Sequence, residues 1–214
     1  MILGQVIIES MMNMDIFEYG DNEINYLKKK DKKLGLAIDR IGKIERVVIP
    51  DLFAALINSI VAQQISSKAA ATVWGRLCVI LGDITPVSIT NASLEDIQKC
   101  GMSVRKASYI KIIGDAVSCG ELNISEFPNM SDGEITQRLS ALHGIGVWTA
   151  EMLLIFSMQR PNVVSWGDLA IRRGMCNLYG HKKLDRVKFE KYKKRYSPYG
   201  SVASLYLWAV SVEE

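Results

Sequence analysis

A chain of 214 residues, 49% of them hydrophobic, with a formal net charge of only +3, is long enough to bury a real core in one large or two small domains. It has no long uncharged apolar run and no basic-then-apolar leader, which argues against a helical membrane span and for a soluble, intracellular protein. The four cysteines, Cys78, Cys100, Cys119 and Cys176, form neither a C-x-x-C pair nor a cluster-binding run, so they read as reduced, mostly buried thiols, and no metal site is expected.

Taken in chain order, "GQVIIE" and "ERVVI" each suit a short extended piece, and nearly everything else reads as helix. From Leu52, the residues Phe53, Leu56, Ile57, Ile60 and Val61 form one apolar stripe at helical spacing, and Ala70, Val73, Trp74, Leu77 and Leu81 form another. Between them "QQISS" breaks the period. Ser66 or Ser67 suits the N-cap of the second helix, which leaves Gln63, Gln64 and Ile65 at a helix–helix corner. Ser93 opens a short helix that Gly101 ends, and Ser103 starts one that runs to about Ser118. Ser131 with Glu134 is a capping-box pattern for a helix ending near Leu142.

"LHGIGVWTA" follows, with Gly144 and Gly146 either side of Ile145. A tight turn running straight into a helix N-terminus makes a nest of outward N–H groups suited to an anion. The same glycines equally suit a plain αα-hairpin with a glycine C-cap. The next helix spans about Val147 to Met158, and "VVSWG" leads to another that begins near Asp168. Asp168 itself suits a helix N-cap. Two more helices fit "DRVKFEKYKKRY" and "VASLYLWAV". Basic residues crowd this last third, from Arg172 and Arg173 through Lys182, Lys183, Arg186, Lys188, Lys191, Lys193, Lys194 and Arg195, as a solvated helix face or a phosphate-facing surface. The fold class is all-α.

The order of helix, glycine hairpin, helix and then an aspartate resembles the helix-hairpin-helix DNA glycosylase superfamily. "LHGIGVWTA", "SWGDLAIRRG" and "SPYGSVASLYLWAV", with "DLFAALINSIVAQQISSKAAATVWGRL" and "GMSVRKASYIKIIGDAV" upstream, are similar to its 3-methyladenine DNA glycosylase II branch over roughly residues 49–212. The resemblance implies two helical subdomains with a cleft for DNA and a flipped base between them. Residues 50–162 form one and carry the corner and the hairpin. Residues 1–49 with 163–214 form the other.

It further implies that the hairpin, His143, Gly144, Ile145, Gly146 and Thr149, grips a DNA phosphate, and that Asp168 is catalytic. Cleavage of an N-glycosidic bond builds positive charge on the sugar, which a fixed carboxylate stabilises while orienting water. Lyase members of the superfamily carry a Schiff-base lysine where this chain has Trp148, so hydrolysis without strand cleavage is expected. Trp148 and Trp208 match aromatic positions of the base pocket, where Met152 and Leu169 stand at two further ones. Tryptophans on apolar helices are otherwise ordinary core residues. Gln64, flanked by Gln63 and Ile65, occupies the position of the wedge that fills the space left by a flipped base, unless the corner simply faces solvent. Lys68 beside it suits a phosphate. No cofactor is expected apart from a monovalent cation that would bridge hairpin carbonyls and phosphate. The implied partner is double-stranded DNA with alkylated bases, bound by a cytoplasmic monomer that associates with the nucleoid in a bacterium and with no membrane. The rival reading is a non-catalytic DNA-binding module, and a plain helical scaffold comes third.

Overall fold

The computed structural model describes residues 15–213. "GQVIIE" lies outside them. The helices in chain order are α1 (Asp21–Lys30), α2 (Lys32–Ile41), α3 (Leu52–Val61), α4 (Ser67–Leu81), α5 (Pro86–Asn91), α6 (Leu94–Lys99), α7 (Val104–Ser118), a 3-10 turn (Ile124–Asn129), α8 (Asp132–Ser140), α9 (Val147–Phe156), α10 (Leu169–Tyr179), α11 (Arg186–Tyr196) and α12 (Gly200–Ser211). Among the described residues the extended structure amounts to one antiparallel bridge, Ile16 with Val47, so "ERVVI" is extended only as a docking strip. No helix of the described residues is long and apolar enough to cross a membrane.

Local chemistry sets most helix starts. Ser66, Ser103 and Asp185 each accept a hydrogen bond from the backbone N–H three residues on, which satisfies a donor the helix cannot. Ser131 and Glu134 form the expected reciprocal capping box. Helix α8 ends at Ser140, and the turn that follows is held by Leu142 N–H to Leu139 O and Ile145 N–H to Leu142 O, both 3.1 Å. The thiols differ from expectation: only Cys100 is buried, whereas Cys78 and Cys176 are half-buried and Cys119 is exposed. Cys119 sits at the C-cap of α7, where its side chain has left the apolar stripe.

The chain divides into two compact units, residues 1–48 with 154–214, and residues 49–153. The division falls inside α9, whereas the family resemblance places it after Asn162. Hydrogen bonds explain the difference. Arg160 N–H donates to Leu154 O at 2.8 Å, and the next residues are fastened to α12. The Ser201 hydroxyl donates to Arg160 O (2.5 Å) and accepts from Val163 N–H (2.9 Å), while the Ser204 hydroxyl donates to Val163 O (3.0 Å). Residues 154–163 therefore pack with the C-terminal helices.

In the unit of residues 49–153, α3 supplies a fully apolar core face with Leu56, Ile57, Ile60 and Val61 inaccessible to solvent. Helix α7 packs against α3, α5 and α6. In the other unit α12 is the central helix, buried on nearly all sides and packed most closely on α10. A Cβ at Gly174 would fall inside van der Waals contact with the Leu207 carbonyl, so only glycine permits this backbone approach.

Candidate functional site

In the unit of residues 49–153, the hairpin and the α3–α4 corner are tied together. Gly144 has φ +87° and its missing Cβ would stand 2.5 Å from the Tyr109 ring. Both facts require glycine there. Tyr109 is itself held by Arg105, whose Nε–H donates to the phenol oxygen at 2.6 Å, and His143 lies over it with ring centroids 6.1 Å apart. Ile145 is buried as an anchor. Gly146 is different: its φ is not positive and no atom of the chain lies within 4 Å of a Cβ built on it. Its carbonyl accepts from Ala150 N–H at 3.0 Å and so starts α9, whose first-turn N–H groups have no acceptor within the helix.

The carbonyls of Leu142, Gly144 and Gly146 each accept one hydrogen bond, from Ile145 N–H, Gln63 Nε2–H and Ala150 N–H respectively. Each keeps a second lone pair, which is the donor chemistry a monovalent cation requires, so the hairpin fits such an ion.

Gln63, Gln64 and Ile65 do not act as one patch. The Gln63 amide donates to Gly144 O at 2.7 Å, so its side chain is a strut to the hairpin and is withdrawn from the expected wedge. Gln64 is exposed at the tip with φ +57°, a left-handed conformation uncommon outside glycine. Ile65 is 41% exposed beside it. The Lys106 ammonium holds the strained corner, donating to Val61 O (2.9 Å) and Gln63 O (2.6 Å). Burial lowers the pKa of that amine. Sequence reasoning missed Lys106, because its partners lie more than forty residues away. Lys68 lies at the exposed start of α4. On α9, Trp148 is 48% exposed, Thr149 and Met152 are half-buried, and Ala150 faces the core.

In the other unit, Asp168 is 7% exposed and its Oδ1 accepts from Ile171 N–H at 2.9 Å. The cap reading is thus realised, and it fixes the carboxyl group at the start of α10. The preceding segment is held rigidly at one end by Ser201 and Ser204. At the other, Trp166 lies edge-on to Phe189 with ring centroids 5.1 Å apart, and the guanidiniums of Arg172 and Arg186 approach its ring at 4.8 and 5.0 Å. Leu169, next to Asp168, is 74% exposed. Trp208 is half-buried on α12, with the Phe156 ring 5.4 Å away and tilted by 30°. A pocket of about 410 Å³ opens against Trp208, lined also by Ile44, Arg46, Ala170, Arg173, Leu205 and Val212.

The basic run is divided between tasks. Arg195 turns inward to the buried Asp31 (2.5 Å), Arg186 pairs with Glu190 (2.8 Å) and Lys188 with Asp185 (3.3 Å). Lys182, Lys183, Lys191 and Lys194 remain exposed.

The chain is similar to known proteins over most of its length. The chain is 34% identical over 167 residues to DNA-3-methyladenine glycosylase 1 of Schizosaccharomyces pombe, covering 74% of this chain and 72% of the relative. Among solved structures, a DNA-3-methyladenine glycosidase from Bacillus halodurans matches with a TM-score of 0.83 and 34% identity over 93% of each chain. The 3-methyladenine DNA glycosylase of Schizosaccharomyces pombe, solved in complex with abasic DNA, matches with a TM-score of 0.75 and 30% identity, covering 88% of this chain and 95% of that one. The profile described as "HhH-GPD superfamily base excision DNA repair protein" matches residues 57–198. With a glycine hairpin leading into a helix, a carboxylate fixed at the next helix start and relatives of this kind, the chain belongs to the HhH-GPD superfamily of base excision DNA repair proteins.

Proposed function

We propose that this protein is a monofunctional DNA glycosylase that removes alkylated purines from duplex DNA by hydrolysing the N-glycosidic bond. The observation that carries the reading is Asp168, a nearly buried carboxylate immobilised by its own helix inside the region the superfamily profile matches. As the bond between base and C1′ lengthens, its electron pair leaves with the base and positive charge develops on the sugar. A carboxylate that needs no reorganisation stabilises that charge. Water then forms the new bond to C1′, and Asp168 orients it and receives its proton.

The remaining residues serve presentation of the base. The open face at Gly146 and the start of α9 receive a backbone phosphate, and the carbonyls of Leu142, Gly144 and Gly146 would hold a monovalent cation, which would supply positive charge to that contact. Gln64 fills the stack after the base turns out, and Trp208, in the unit that carries Asp168, offers the base an aromatic face. Trp148 has no amine, so no Schiff base forms and the strand stays intact. The protein acts as a monomer, one chain supplying hairpin, wedge and carboxylate.

The test is Asp168→Asn. Asparagine keeps an oxygen for Ile171 N–H, so stability is expected to change by no more than about 1 kcal/mol, while single-turnover release of an alkylated base falls on the order of a hundredfold or more. Release within a few-fold of the parent rate would return Asp168 to the role of a cap and favour the non-catalytic DNA-binding module. Borohydride is expected to trap no protein–DNA adduct with the parent enzyme, and a trapped adduct would overturn the assignment of simple hydrolysis.

A further inference from the structure

The α3–α4 corner borders open space. A cavity of about 220 Å³ lies against it, lined by Val61, Gln63, Gln64, Ile65, Met102 and Lys106 among others. Hydrogen bonds, more than side chains pressed beneath it, therefore set the shape of the corner. Lys106 supplies two of them, to Val61 O at 2.9 Å and to Gln63 O at 2.6 Å. Val61 is the last residue of α3, where carbonyls have no partner within the helix and a cation is favoured by the helix dipole. The Gln63 carbonyl belongs to the peptide unit that leads into Gln64, whose φ is +57°. The ammonium thus fixes the plane from which that left-handed residue departs.

The same helix also carries the hairpin. Lys106 and Tyr109 are three residues apart on α7 and share a face. Tyr109 lies beneath Gly144, and the Gln63 amide closes the arrangement by donating to Gly144 O at 2.7 Å. The main chain of Lys106 is itself anchored, since its N–H donates to the Ser103 hydroxyl at 3.3 Å. Corner and hairpin therefore take their spacing from one helix. A wedge is effective only where it enters the base stack level with the phosphate that is gripped, because a misplaced group forfeits the advantage of pre-orientation.

We propose that Lys106 is a positioning residue for base flipping: through the Gln63–Gln64 peptide it sets the wedge in register with the phosphate held at the hairpin. The inference rests on the glycosylase reading above and on Gln64 as the wedge. Lys106 acts through Gln64 and not on the reacting atoms.

The experiment measures single-turnover base release from duplexes carrying one 7-methylguanine, paired with cytosine or mispaired with adenine, together with affinity for undamaged duplex. Lys106→Met keeps the length of the side chain and removes its donors. It is expected to slow release from the paired site several-fold and from the mispaired site less, because unstacking then costs less, while affinity for undamaged duplex stays near the parent's. Lys106→Arg keeps charge and donors and is expected to restore most of the rate. In a Gln64→Ala background, Lys106→Met is expected to add little, since both changes disable the same part. If Lys106→Met does not fold, Lys106→Gln takes its place in each comparison. An unchanged rate on the paired site, equal losses on the two duplexes, or a loss that adds in full to that of Gln64→Ala overturns the inference and leaves the glycosylase reading intact. No release from either duplex by the parent would sink both readings.

Discussion

Gly144 and Gly146 look equivalent in "HGIGV", but the fold requires only the first of them. At Gly144 the backbone is left-handed and Tyr109 lies beneath it, so Gly144→Ala is expected to destabilise the fold by about 1–3 kcal/mol, from strain and from displacing the ring. At Gly146 an added methyl group meets nothing in the chain. Gly146→Val is therefore expected to leave urea denaturation within about 1 kcal/mol of the parent yet to weaken DNA binding, equally for damaged and undamaged duplexes and with a reduced salt dependence. Undiminished binding by a folded Gly146→Val would remove the phosphate contact. The sequence shows that a turn with small residues stands here, because helical periodicity stops and resumes around it. It does not show which glycine faces inward, since Tyr109 is thirty-odd positions earlier and nothing local announces it. Asp168 was more legible, because an N-cap is a contact three residues long.

At the scale of elements, the α3–α4 corner behaves as one part with the hairpin. Helix ends and caps on both sides are readable from Ser66 and the apolar stripes, whereas the bonds from Gln63 to Gly144 and from Lys106 to the corner carbonyls depend on long-range folding and carry no sequence period. These bonds hold Gln64 in a left-handed conformation costing on the order of 1 kcal/mol. Gln64→Ala is expected to slow excision from a paired site several-fold, with a smaller loss when the target base is already mispaired, because unstacking then costs less. Equal losses on the two duplexes would show that Gln64 merely faces solvent. Gln63→Ala is expected to weaken initial DNA binding as well, since it frees the hairpin from the corner.

Across the unit that carries Asp168, the closing contacts are polar and buried. Asp31, 2% exposed, caps α2 through Leu34 N–H and accepts from the Tyr179 hydroxyl (2.7 Å) and Arg195 (2.5 Å). Tyr179 in turn meets the Tyr196 hydroxyl at 2.7 Å. Asp31→Ala removes a cap and leaves those donors without an acceptor, so a loss of about 2–4 kcal/mol is expected in urea denaturation, discounted for the one-third exposure of Arg195. An unchanged midpoint would mean that the network holds nothing together. Burial pushes both phenols above their ordinary range, whereas unfolded tyrosines ionise near pH ~10. Their contribution is therefore complete below that pH and is lost as pH rises above it, which a pH series of denaturation midpoints would reveal. None of this network was legible, although Asp31 and Tyr179 are ordinary residues in the sequence, because their meeting closes a separation of 148 positions. The all-helical class was legible throughout. The contact of Gly174 with Leu207 has a different kind of consequence. It joins the helix that Asp168 begins to the helix that bears Trp208, backbone to backbone, with no side chain between to flex or be exchanged. A side chain at position 174 would force these two helices apart, and with them the start of α10 and Trp208. Gly174→Ala is therefore expected to move Asp168 and Trp208 relative to each other, where most other single substitutions on these helices leave their main chains in register.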